Sequence, residues 1–127
     1  MVIVEITRSK SSGGVPAFQY GSDGQAYGPI KRIRIQGHAG FVKRGKDIVC
    51  AAASVTAYTA AGALEELCGI PNNVVTEKDG YFELRVPDIA DANIADRANI
   101  ITETTYIGYK QIEASYRRHI KIIETIE

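Results

Sequence analysis

The chain opens on alternation. In VIVEIT, Val2, Val4 and Ile6 share one face, and in KRIRIQ, Lys31 to Gln36, Ile33 and Ile35 alternate with Arg32 and Arg34. Both segments read as half-buried strands. From Asp47 to Leu67 the pattern becomes helical, with Asp47 as N-cap, Gly69 as C-cap and Pro71 just beyond. Its alanines, together with Gly62, predict close approach to a neighbouring layer, so this helix belongs at the centre of the fold. Val74 to Lys78 and Tyr81 to Val86 flank Asp79-Gly80, a pair suited to a two-residue turn, and form a hairpin with Phe82, Leu84 and Val86 on its buried face. After Pro87, Ile94, Ala98, Ile101, Thr105, Gly108 and Ile112 recur at spacings of three and four. That second helix should end near Arg117, with Arg117, Arg118 and His119 complementing its dipole. Ile120 to Ile126 is a last strand. The order β-β-α-β-β-α-β predicts an α+β two-layer sandwich, a mixed sheet with two helices packed on one face.

Arg8 to Pro29 interrupts this pattern. Its Gly, Ser and Pro content forbids a regular core element, which makes it a long exposed loop between the first two strands. Phe18, Tyr20 and Tyr27 are considerable aromatic surface for an inert loop. A lid, a substrate-contacting flap or an oligomer contact is the alternative.

Composition narrows the class. The 127 residues suffice for one domain, 1–127, with an inserted loop at about 8–29, and 45% hydrophobic with 24% charged residues is ordinary for a soluble globular protein. Fifteen basic and fifteen acidic side chains cancel, which gives no electrostatic reason to expect nucleic acid as a partner. Local basic clusters remain at Lys43, Arg44 and Lys46 and at Arg117 to His119. No run approaches the roughly 18 apolar residues of a membrane span, and the N-terminus lacks a signal-peptide pattern; a cytoplasmic protein without membrane contact is expected. Cys50 and Cys68, at opposite ends of one helix, would lie roughly 27 Å apart, too far for a disulfide. Free thiols fit a reducing compartment.

The stretch GHAGFVKRGKDIVCAAAS, Gly37 to Ser54, holds the candidate chemistry. Gly40-x-x-x-x-Gly45-Lys46 has phosphate-loop spacing, but Asp47 stands where a magnesium-binding hydroxyl is required, and the repeated βαβ layout is missing. Gly37 to Gly40 also matches the Gly-x-x-Gly clamp of an RNA-binding domain, yet it follows a strand instead of joining two helices. A non-catalytic ribosome-associated or RNA-binding module using the 37–46 loop is the alternative to an enzyme. The stronger pattern is thiol and imidazole. With Asp47 as cap, Cys50 falls in the first helical turn, where unpaired N–H groups and the dipole favour an anion. His38, across a Gly-rich loop, can fold back as its base. Ser54, one turn on, either orients the Cys50 side chain or bonds the Cys50 carbonyl. Asp47 is first a cap and second a group able to steer His38. Cys68 and His119 read as structural. No ligand set marks a metal site, and no cofactor is needed.

Gly37-His38-Ala39-Gly40 followed by Gly45-Lys46-Asp47-Ile48-Val49-Cys50-Ala51-Ala52 and Ser54 resembles the signature of the ribosomal-processing cysteine protease family Prp, including the twelve-residue step from His38 to Cys50. The resemblance runs from Lys31 onward. It implies a homodimeric cysteine endopeptidase that removes an N-terminal extension from a ribosomal large-subunit protein, cutting after an aromatic residue. Cys50 would be nucleophile and His38 base, with Asp47 and Ser54 supporting. Gly37, Gly40 and Gly45 would supply a flexible loop and oxyanion donors. Members of the family typically join the first two strands by a short turn, so the insertion at Arg8 to Pro29 departs from the pattern.

Overall fold

The computed structural model describes residues 1–10, 18–19, 26–37, 48–71, 75–78 and 80–127, and for 18–19, 26–27 and 75–78 the backbone alone. Strand β1 (Val2–Arg8) pairs antiparallel with β4 (Ile30–Gln36) and parallel with β7 (Ile120–Ile126). Strand β6 (Tyr81–Arg85) pairs antiparallel with β4 and with β5 (Val75–Lys78), giving a five-stranded mixed sheet in the order β5-β6-β4-β1-β7. Two short strands, β2 (Phe18–Gln19) and β3 (Ala26–Tyr27), pair with each other inside the insertion. The loop reading of that segment is therefore amended: it carries a small ribbon of its own.

Alternation decides which face is covered. Val2, Val4, Ile6, Ile33, Ile35, Phe82, Leu84 and Ile120 form a single core with Val49, Ala53, Ala57, Ala60 and Leu64 of α1 (Ile48–Cys68) and Ala98 and Tyr109 of α2 (Ala92–Ser115). Both helices therefore lie on one side of the sheet. The other side carries Glu5 between Arg32 and Arg34, with Glu83 and Arg85 beyond. The expected two-layer α+β sandwich is what forms.

Helix α1 closes as its ending predicts. Gly69 takes φ 70, Gly69 N–H donates to Glu65 O, and Ile70 N–H reaches Leu64 O at 3.1 Å, the paired bonds by which a left-handed glycine satisfies the last carbonyls. The 21 residues of α1 are also apolar enough, by length and composition, to cross a membrane. The expectation that no segment approaches that threshold is corrected: alanines make the helix apolar while fitting it against α2 and the sheet. Helix α2 starts at Asp91, whose carboxylate accepts from Asn93 N and Ile94 N at 2.9 and 3.0 Å. It ends at Ser115 with Tyr116 as cap. The end falls near Arg117 as its spacing implies, and Arg117 to His119 follow directly after the cap.

Two polar residues depart most from the sequence reading. Arg8 is not the start of the loop but the buried last residue of β1, and Glu103 is buried on α2. A register shift after Thr7 sets Ile30, not Lys31, opposite Arg8, so Ile30 is buried and Lys31 exposed. Arg8 grips Glu103 through two bonds, reaches Glu124 Oε1 of β7, and donates to Gly28 O at the exit of the insertion. The Tyr106 ring lies 5.2 Å from its guanidinium carbon. Burial, and then the neighbouring Glu124 carboxylate, push the Tyr106 phenol up to about 12. The cluster ties β1, β7, α2 and the insertion together.

Candidate active site

Three connections orient α1. Arg97 donates to Leu67 O, tying the end of α1 to the start of α2. Val86 N–H bonds Lys31 O, so α2 begins at the Lys31 end of the sheet. Tyr58 packs edge-on against Phe82, ring centroids 5.6 Å apart, and Phe82 pairs with Ile35. Helix α1 therefore runs antiparallel to β4, and its N-terminus lies at the end of the sheet where β4 finishes. Cys50, eight residues before Tyr58, projects about 12 Å further towards that end.

Cys50 is the third residue of α1 and half-buried. In the first turn the backbone N–H groups have no partner within the helix itself. Tyr109 braces this region from α2: its buried hydroxyl donates to Ala53 O at 3.0 Å, one turn after Cys50. Burial pushes the Tyr109 phenol well above its ordinary value, so it remains a neutral donor. Sequence reading placed Gly108 on the buried stripe and overlooked Tyr109, although Tyr109 stands four residues after Thr105 and three before Ile112. That spacing was the available signal.

Gly37 leads out of β4 towards His38. It adopts φ 85, and a Cβ there would meet Met1 O at 2.6 Å, so only glycine fits. Its N–H donates to Gly80 O at 3.0 Å. The expectation that Gly37 offers an oxyanion donor is corrected, because that N–H is committed to the β5–β6 turn. Its role is to set the exit angle of the chain.

Ser54 is half-buried one turn beyond Cys50. Hydroxyls that bond back along α1 are those of Thr56 to Ala52 O and Thr59 to Val55 O, each at 2.7 Å; among the described residues Ser54 forms no such bond to the Cys50 carbonyl. His38, Gly40, Gly45 and Asp47 lie outside the described residues. Cys68, at the far end of the helix, is not disulfide-bonded to Cys50. Burial pushes the Cys68 thiol up and nearby Arg97 offsets only part of that shift. Among the described residues no group of three or more His, Cys, Asp or Glu side chains gathers to hold a metal.

A thiol at a helix N-terminus, beside a glycine-launched loop, is a nucleophile's setting, and the family model described as cysteine protease Prp matches residues 24–121. The chain belongs to that family. It is a cysteine protease, and so a hydrolase. The ribosomal processing cysteine protease Prp of Bacillus subtilis is 28% identical over 98 residues, 76% of this chain and 88% of that one. The protein of the same name from Staphylococcus aureus is 28% identical over 96 residues, 75% and 87% of the two chains. Among solved structures, the essential ribosomal processing protease Prp from S. aureus with a covalently linked product peptide superposes with a TM-score of 0.72 at 25% identity, covering 98% of this chain and 100% of that one. The same protease with a substrate peptide gives 0.70, with the same identity and coverage. The family match begins inside the insertion, so β1 lies outside it.

Proposed function

We propose that this chain is a cytoplasmic, homodimeric cysteine endopeptidase that removes the N-terminal extension of a ribosomal large-subunit protein. The observation that carries the reading is the position of Cys50 in the first turn of α1, at the sheet end where Gly37 leads to His38. Support for the substrate class comes from relatives named for ribosomal processing and from the S. aureus protease held with substrate and product peptides.

In this reading Cys50 Sγ attacks the scissile carbonyl carbon while His38 takes the thiol proton. Backbone N–H groups at the start of α1 and in the Gly40 to Gly45 segment hold the oxyanion. The tetrahedral intermediate collapses, the C–N bond breaks, and the leaving amine takes the proton from His38. Water, deprotonated by His38, then hydrolyses the thioester and frees the N-terminal product and the thiol. Asp47 caps the helix and steers His38, and Ser54 supports the first turn. No cofactor enters.

A panel of extended ribosomal-protein N-terminal peptides, read by mass spectrometry with wild type, Cys50→Ala and His38→Ala, tests the assignment. Cleavage by wild type alone is expected. Cleavage that persists in either variant overturns it.

A further inference from the structure

Balanced totals conceal an uneven distribution of charge. Two adjoining concavities of about 440 Å³ each lie where α2 gives way to β7. One is lined by Lys110, Glu113, Arg117 and Lys121 among others, and the second by the exposed run Tyr116 to His119. Glu113 is the one carboxylate lining either among the described residues, and it is already engaged. Its carboxylate accepts from Ile122 N at 2.7 Å and from Lys110 Nζ at 3.0 Å. Burial alone would raise it, but the Ile122 N–H, Lys110 and Lys121 outweigh that and hold it below the ordinary carboxylate value. Among the described residues no carboxylate lies within ion-pair distance of Arg117, Arg118 or Lys121. Arg117, Arg118 and Lys121 thus form no ion pair among the described residues and lie on one surface.

The chemistry of the patch is more specific than its charge. Arg117 and Arg118 carry guanidinium forks suited to phosphate oxygens, and the aromatic Tyr116 beside them is 38% exposed. Cationic side chains interleaved with an accessible aromatic ring are what a single-stranded nucleic acid uses, its phosphates on the cations and an unstacked base on the ring. The aromatic ring placed among cations is the feature that favours an unstacked base over an acidic peptide or an anionic lipid surface. Met1 lines the first concavity and also touches Gly37, so the patch adjoins the entrance to the His38 loop.

We propose that the concave surface formed by Tyr116, Arg117, Arg118 and Lys121 binds single-stranded RNA through its phosphate backbone, bringing the protease to RNA-bound substrate. The choice of RNA over DNA rests on the ribosomal-processing reading; the patch itself does not.

The test is fluorescence anisotropy with a labelled single-stranded RNA of about 12 nucleotides, titrated from low to physiological salt, with DNA of the same sequence and polyglutamate as comparison ligands. Wild type should bind RNA with salt-sensitive affinity. Arg117→Ala/Arg118→Ala/Lys121→Ala should bind at least about tenfold more weakly, its log–log salt slope shallower by about 2, the loss of three single-strand phosphate contacts. Tyr116→Ala should weaken binding without changing that slope, and Glu113→Gln, which keeps an acceptor for Ile122 N–H, should tighten it. Cleavage of a short peptide, followed in parallel, should be unchanged in the triple variant, which separates failure of the patch from failure of the protease reading. Equal RNA affinity in wild type and the triple variant overturns the proposal, as does binding of polyglutamate as tight as that of RNA.

Discussion

Replacing Glu103 by Gln removes a charge from the most buried ion pair among the described residues. The Arg8 and Glu103 side chains are 2% and 4% exposed, so water cannot solvate the guanidinium that remains. Breaking one side of such a pair costs about 3–5 kcal/mol. Here Glu124, 35% exposed, and Gly28 O still hold Arg8, which puts the expected loss near the lower limit, about 3 kcal/mol, or a drop in Tm on the order of 10 °C. The Arg85–Glu83 pair, in which the cation reaches solvent, provides the contrast. Arg85 is 64% exposed, and Arg85→Ala should cost less than about 1 kcal/mol. Urea unfolding followed by circular dichroism measures both. The double variant Arg8→Met/Glu103→Leu, which removes both charges and keeps most of the volume, should recover much of the loss. A cost below about 1 kcal/mol for Glu103→Gln would show that burial does not decide the energetics of this pair.

Gly37→Ala forces a Cβ to 2.6 Å from Met1 O at φ 85, and a loss of about 1–3 kcal/mol with a matching fall in peptide cleavage is expected; a fully stable, fully active variant contradicts the geometric requirement. Tyr109→Phe should cost about 1 kcal/mol through the lost bond to Ala53 O, and Tyr109→Ala about 3–5 kcal/mol through the cavity; equal costs in urea unfolding would mean that packing of the ring contributes nothing beyond the hydrogen bond. Glu83 and Glu113 both sit below the ordinary carboxylate value of 4.5. A depressed carboxylate contributes stability above that value and loses it as pH falls through the lowered one, so Glu113→Gln should flatten the acid limb of the stability profile below 4.5; a limb as steep as that of wild type would contradict the depression.

What could be read in advance follows from how local each signal is. The alternation of Val2, Val4 and Ile6, the Gly69 ending of α1 and the β6 pattern of Phe82 and Leu84 all depend on neighbours a few residues away, and the structure places them as their spacing implies. Arg8 and Glu103 were illegible for the opposite reason. Each is a charged letter normally found at the surface, and each is buried against the other, 95 positions distant, with Glu124 as a second partner of Arg8. The pairing set by the register shift at Thr7 and Arg8 is likewise a tertiary event. At the site, the place of Cys50 in the first helical turn was legible because helix starts are marked by local residues. That the Gly37 N–H bonds Gly80 O was not, since it depends on where the β5–β6 turn arrives. The neutral total charge hid the Tyr116 to Lys121 patch because a sum carries no positions.

Whether Cys50 is the nucleophile can be decided by intact-protein mass spectrometry of an acid-quenched reaction with a cleavable N-terminal peptide, followed by peptide mapping. The expected species is an adduct equal to the N-terminal product less one water, mapped to Cys50 and abolished in Cys50→Ala. An adduct on Cys68, or undiminished cleavage by Cys50→Ala, would contradict the assignment.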